Sequence, residues 1–182
     1  MAKARRIPGL DADEPYAAAA ARIVDVRVAE LIDHARGVLD IDDIERVHDM
    51  RVATRRLRAA LETFGPCFPR RELKAGLRQV KELADALGER RDRDVSIAAL
   101  ERIAESMAAP DRPGIEALVV RLRAEQAQAN AALARFVSED KLAALCDQLA
   151  ELVASAEAAP VEDEIPAPLE VVWLPKRAET AA

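Results

Sequence analysis

From Val24 to Val153 the aliphatic residues of this chain recur three and four positions apart, and nowhere does a long period-two alternation interrupt them. A side chain returns to one face every 3.6 residues in a helix and every second residue in a strand, so this spacing calls for helices and no sheet. Residues 14–36 form the first expected helix, with Val24, Val28, Leu31 and Ala35 on one face, Pro15 in its first turn and Asp13 as its cap. Gly37 suits the left-handed residue that stops it. Asp40, Asp42 and Asp43 then crowd the positive end of a second helix, which should finish at Phe64 because "GPCFP" follows. A third helix is expected over 70–87, with Leu73, Leu77, Val80, Ala84 and Leu87 as its stripe and Gly88 as its stop. A fourth starts around Asp92 to Asp94 and carries Ile97, Leu100, Ile103, Ala104 and Met107. After the loop "APDRPG", a fifth covers 115–137, and Ser138 is placed to cap a sixth bearing Leu142, Leu145, Cys146, Leu149, Leu152 and Val153.

The expected fold is therefore all-α, an antiparallel bundle of about six helices over residues 14–157. Composition agrees: 51% of the 182 residues are apolar but only 3% aromatic, so Ala, Leu, Val and Ile must build the core. Residues 1–13 read as a flexible arm. Residues 158–182, "AAPVEDEIPAPLEVVWLPKRAETAA", hold four prolines and a block of acids without helical period, the pattern of a disordered or loosely docked tail. Within it "LEVVWLP" contains the only Trp and reads either as an apolar patch lying on the bundle or as a linear motif for another protein. No apolar run approaches the ~18 to 20 residues of a membrane span, and no apolar region follows the basic N-terminus as a secretory signal requires. Cys67 and Cys146 stand alone, as reduced thiols of a cytoplasmic protein do.

Charge is what the fold does not explain. The chain carries a net -6, yet residues 46–93 hold 13 Lys or Arg against 7 Asp or Glu, which leaves -12 for the remainder. On a wheel of ~100° per residue, His48, Arg51, Arg55 and Arg58 of "VHDMRVATRRLR" share a sector of roughly 80°, opposite Met50, Ala53, Leu57 and Leu61. Arg56 falls off that stripe and should pair with a neighbouring carboxylate. Arg70, Lys74, Arg78 and Lys81 make a second basic sector on the next helix. A short connection makes the two helices antiparallel neighbours, so both stripes could line one trough. Solvated helix faces with nearby acids are the ordinary explanation of such stripes, and Glu62 and Asp85 do interrupt them. The alternative is a bound polyanion, held by guanidinium forks and Lys point charges. No aromatic platform accompanies the cations, which argues against nucleic acid and for a linear phosphate polymer.

Other chemistry finds little support. His34 is the only other histidine and lies on a different helix from His48, so the sequence gives no metal site, and no cofactor is implied. "HDMR" is similar to the start of the histidine-kinase H-box over four residues, without the proline that usually follows. A phosphorelay-type docking bundle, or one taking an acidic or phosphorylated partner segment, is thus the competing reading. No nucleophile elbow, P-loop or HExxH is present, so no enzyme is expected. Asp92 and Asp94 suit a helix start as caps.

"VHDMRVATRRLRAALETF" resembles the signature of the CHAD family, the conserved-histidine α-helical domain. "LKAGLRQVKELADALGERRDRDV" resembles that family's next element, ending here in Leu87, Gly88, Arg91, Asp92, Asp94 and Val95. The two motifs cover about residues 15–110. The resemblance implies an all-α fold that binds inorganic polyphosphate without a reaction of its own. It assigns polyphosphate contacts to His48, Arg51, Arg55 and Arg58, and to Arg91, while Lys74, Arg78 and Lys81 sit where the family tends to place basic residues. Family members usually have a second bundle that frames the other side of the groove. This chain resembles the N-terminal half only, so two chains are expected to pair as a homodimer and rebuild a two-sided site.

Overall fold

The computed structural model describes residues 3–157, and the tail expected over 158–182 lies outside the described residues. Five α-helices follow one another: α1 (Tyr16–Ala35), α2 (Ile44–Thr63), α3 (Arg70–Ser106), α4 (Pro113–Val137) and α5 (Glu139–Glu157). Among the described residues there is no strand. Short 3-10 turns at Gly65–Cys67 and Ala109–Asp111 join α2 to α3 and α3 to α4, so these neighbours run antiparallel. Helix α5 returns to pack on α1 and α3.

The faces expected to be apolar are the ones that meet. Val24 and Leu31 of α1, Met50, Leu57 and Leu61 of α2, Val80, Leu83 and Leu87 of α3, Leu133 of α4 and Leu149 of α5 are buried in one continuous core. Each fully buried aliphatic side chain contributes about 1.5–3 kcal/mol of transfer free energy, which offsets the weak aromatic content. Gly76 lets α5 come close: a Cβ there would stand 3.2 Å from Leu149 Cδ2. Alongside, Gln79 Nε2 donates to Gln148 Oε1 at 2.6 Å.

One helix end agrees with the sequence reading and one does not. Gly37 does take the left-handed conformation, φ 72°, after α1. Asp13 does not cap α1: its backbone N–H donates to Asp11 Oδ1, Pro15 occupies the N-cap position, and no side chain caps the helix. The segment before α1 is laid along it instead, because Arg22 donates to the Gly9 carbonyl at 2.7 Å and pairs with Glu14 at 2.9 Å, while Arg5 pairs with Asp33.

The larger difference is at Gly88. The third and fourth expected helices are one, α3, which runs 37 residues straight through the glycine for about 55 Å. Glycine in a helix interior costs only about 1 kcal/mol relative to Ala, too little to end a helix that is held on both sides. What holds it is polar and buried. Arg90 and Asp94 are fully buried and pair across one turn, and Gln126 Nε2 of α4 donates to Asp94 Oδ1 at 2.7 Å. Asp94 is therefore an inter-helix partner and not a cap, and Asp92 stands exposed in mid-helix. Burial, with the neighbouring Arg91 charge, pulls the Arg90 pKa down from its ordinary value.

Candidate polyanion-binding groove

Along α2 the apolar side faces α1 and α3, which leaves the opposite stripe to solvent. Arg51, Arg55 and Arg58 are exposed and His48 is half-buried. Arg56, off the stripe, donates to Glu30 Oε1 at 2.6 Å. That carboxylate is itself buried and also receives Arg27 at 2.5 Å. Burial alone would raise the Glu30 pKa, but the hydrogen bonds and charges of Arg27 and Arg56 hold it below the ordinary carboxylate value.

On α3 the cations lie beside the apolar stripe, and the antiparallel turn brings them against the last turns of α2. The result is an open groove of about 510 Å³ lined by Arg58 and Glu62 of α2 and by Arg71, Lys74, Ala75, Leu77, Arg78 and Lys81 of α3. Five cations face one carboxylate. Arg58 Nε donates to Glu62 Oε1 at 2.7 Å, an exposed pair of small net energy. Among the described residues, Arg71, Lys74, Arg78 and Lys81 make no ion pair. Uncompensated like charges in a shallow trough repel one another and favour any anion that enters it. The lining offers no hydroxyl, thiol or imidazole, and no aromatic ring on which a base could stack.

Of the eight residues expected at the site, the groove unites Arg58, Lys74, Arg78 and Lys81. His48, Arg51 and Arg55 continue the Arg58 stripe along α2, outside the groove lining, over about 15 Å. Arg91 is elsewhere. It donates to the Ile44 carbonyl at 3.1 Å and lies 3.5 Å from Glu45, so it ties α3 to the first turn of α2. Ligating atoms of Glu45, His48 and Asp49 come within 4.8 Å of one another on that turn, but Arg91 already shares Glu45 and the helix N-terminus favours negative charge there over a cation.

Arg71 is the lining residue that the sequence reading missed. The signal was available: Arg71, Lys74, Arg78 and Lys81 also share a sector of roughly 80°. The choice between Arg70 and Arg71 as its first member depends on how α3 is rotated against α2, which periodicity does not fix.

Compared with known families, the chain matches the model of the CHAD domain over residues 22–180. This chain belongs to the CHAD family. The CHAD match begins within α1 and runs past α5 to residue 180, well beyond the two motifs that carry the resemblance in sequence. No curated protein matches the chain. Placed on this CHAD domain, the first family motif supplies α2 and its exposed basic stripe. The second supplies the buried Arg90 and Asp94, which meet Gln126 of α4, and the Arg91 tie.

Proposed function

We propose that this protein binds inorganic polyphosphate, without chemistry of its own, in the groove between α2 and α3. CHAD domains in general bind polyphosphate, and this chain belongs to that family. The observation that carries the reading to a particular place is the lining: five cations, one acid, and four of those cations without an ion pair among the described residues. Helical turns repeat every ~5.4 Å, so the cations form a ladder along which a flexible phosphate chain can be gripped at successive oxygens. Guanidiniums provide two-pronged contacts, and the lysines provide point charges that tolerate register shifts. A linear polymer of phosphate needs no stacking platform, which a single-stranded nucleic acid does.

The stripe of His48, Arg51 and Arg55 extends the track beyond the groove, with the His48 imidazole a further hydrogen-bond donor. Because the groove is open on one side, a second copy of the chain covers it in this reading. Light scattering should then show the mass of a pair with polyphosphate bound, and a monomer with and without ligand would reject the pairing. The extended track is tested by Arg51→Glu combined with Arg55→Glu, followed by titration with long polyphosphate and with single-stranded DNA. Polyphosphate affinity should fall at least tenfold with helicity unchanged, and the DNA should bind weakly to either protein. Unchanged polyphosphate affinity would reject the extended track, and DNA binding as tight as polyphosphate would reject the selectivity.

A further inference from the structure

A second trough, of about 330 Å³, lies between α1 and α5, away from the basic groove. Its lining is of the opposite character. Val28, Ala29 and Ile32 of α1 face Cys146, Ala150 and Val153 of α5, with Leu149 at its base and Asp25 and Asp33 of α1 completing the lining. On α5 the positions 146, 150 and 153 form a half-exposed apolar strip beside the buried Leu145, Leu149 and Leu152. This strip is more than the bundle itself uses. Asp33 is taken by Arg5, whereas Asp25 has no partner among the described residues.

The chain carries a segment with matching chemistry. Residues 169–177, "LEVVWLPKR", put five large apolar side chains in front of Lys176 and Arg177. The residues between α5 and this segment, 158–168, span up to ~36 Å when extended. Val153 lies only four residues, about 6 Å, before the end of α5, so the connection reaches the trough with slack. The family match also runs through the segment to residue 180.

We infer that residues 169–177 of the same chain fill the α1–α5 trough, with Trp173 as the apolar anchor and the basic end toward Asp25. An aromatic side chain buries about 150–250 Å², enough to cover the exposed strip. The contact would lie on the α1–α5 side of the bundle, away from the α2–α3 groove. It does not depend on the polyphosphate reading.

The single tryptophan makes the test direct. In the unsubstituted 182-residue chain, Trp173 emission should be blue-shifted and resist quenching by acrylamide. Ala150→Phe plugs the trough from an exposed position, so it should shift the emission to the red and raise quenching several-fold while helicity is kept. Independently, Trp173→Ser should raise the labelling rate of Cys146 several-fold relative to Cys67, read by peptide mass spectrometry. This second arm decides the matter if the first variant loses helicity. Freely quenched Trp173 in the unsubstituted protein, or Cys146 labelling indifferent to Trp173→Ser, would overturn the inference. So would an emission shift that disappears on dilution, since that would place the segment on another copy.

Discussion

Glu62 is the one side chain lining the basic groove that opposes an anion, and it occupies Arg58 at 2.7 Å. Glu62→Gln keeps the shape, frees the guanidinium and removes a repulsive charge. An exposed pair is worth roughly 0–1 kcal/mol, so the variant should bind polyphosphate several-fold more tightly, measured by titration at fixed salt. Glu30 shows the reverse design, a buried carboxylate gripped by two arginines. Its folded-state pKa is lowered, so its contribution to stability is complete above the unfolded value of about 4.3 and is lost as pH falls through the lower folded value. Glu30→Gln should therefore flatten the acid limb of a stability-against-pH curve, and at neutral pH should cost about 1–3 kcal/mol in denaturant unfolding. At this scale the sequence was readable where side-chain type and helical phase suffice, as for Arg56 leaving the basic stripe to find a carboxylate. It was not readable where a long side chain reaches another element. Nothing in the spacing of Arg91 says that it ends on the Ile44 carbonyl.

Among the elements, α3 is the one whose extent periodicity misjudged. Gly88 looks like a stop, and the acids after it look like a fresh start. Both are overridden by packing: Leu83 and Leu87 lie in the core before the glycine, and Arg90, Asp94 and Ile97 are buried after it. A buried ion pair with guanidinium atoms left unpartnered among the described residues is poor evidence for net stability, but it does fix how α3 and α4 meet. Gly88 itself is then dispensable. It has no positive φ, and a Cβ would meet nothing within 4 Å. Gly88→Ala should stabilise the protein by about 1 kcal/mol, seen as a raised denaturant midpoint with unchanged slope. The other helices were legible because Gly37 and "GPCFP" combine a breaker with the end of an apolar stripe, whereas Gly88 interrupts a stripe that continues.

For the whole molecule, the decisive feature is that a chain of net charge -6 still brings five cations together between α2 and α3. The fold was legible from phase alone, because short connections between amphipathic helices leave few ways to bury their stripes. The groove was legible only in outline. Facing stripes could be drawn on two wheels, but which four or five cations meet depends on the mutual rotation of α2 and α3. Among the described residues no helix is long and apolar enough to cross a membrane. Binding in such a groove should be electrostatic and released by salt, as it is where cations neutralise nucleic-acid phosphates. Titration of long polyphosphate at two salt concentrations, on the unaltered protein and on Lys74→Glu with Arg78→Glu, tests this most directly. The expected result is steep weakening with salt for the first and loss of binding at both concentrations for the second, with circular dichroism unchanged. Equal affinity of the two proteins, or an affinity indifferent to salt, would contradict the account.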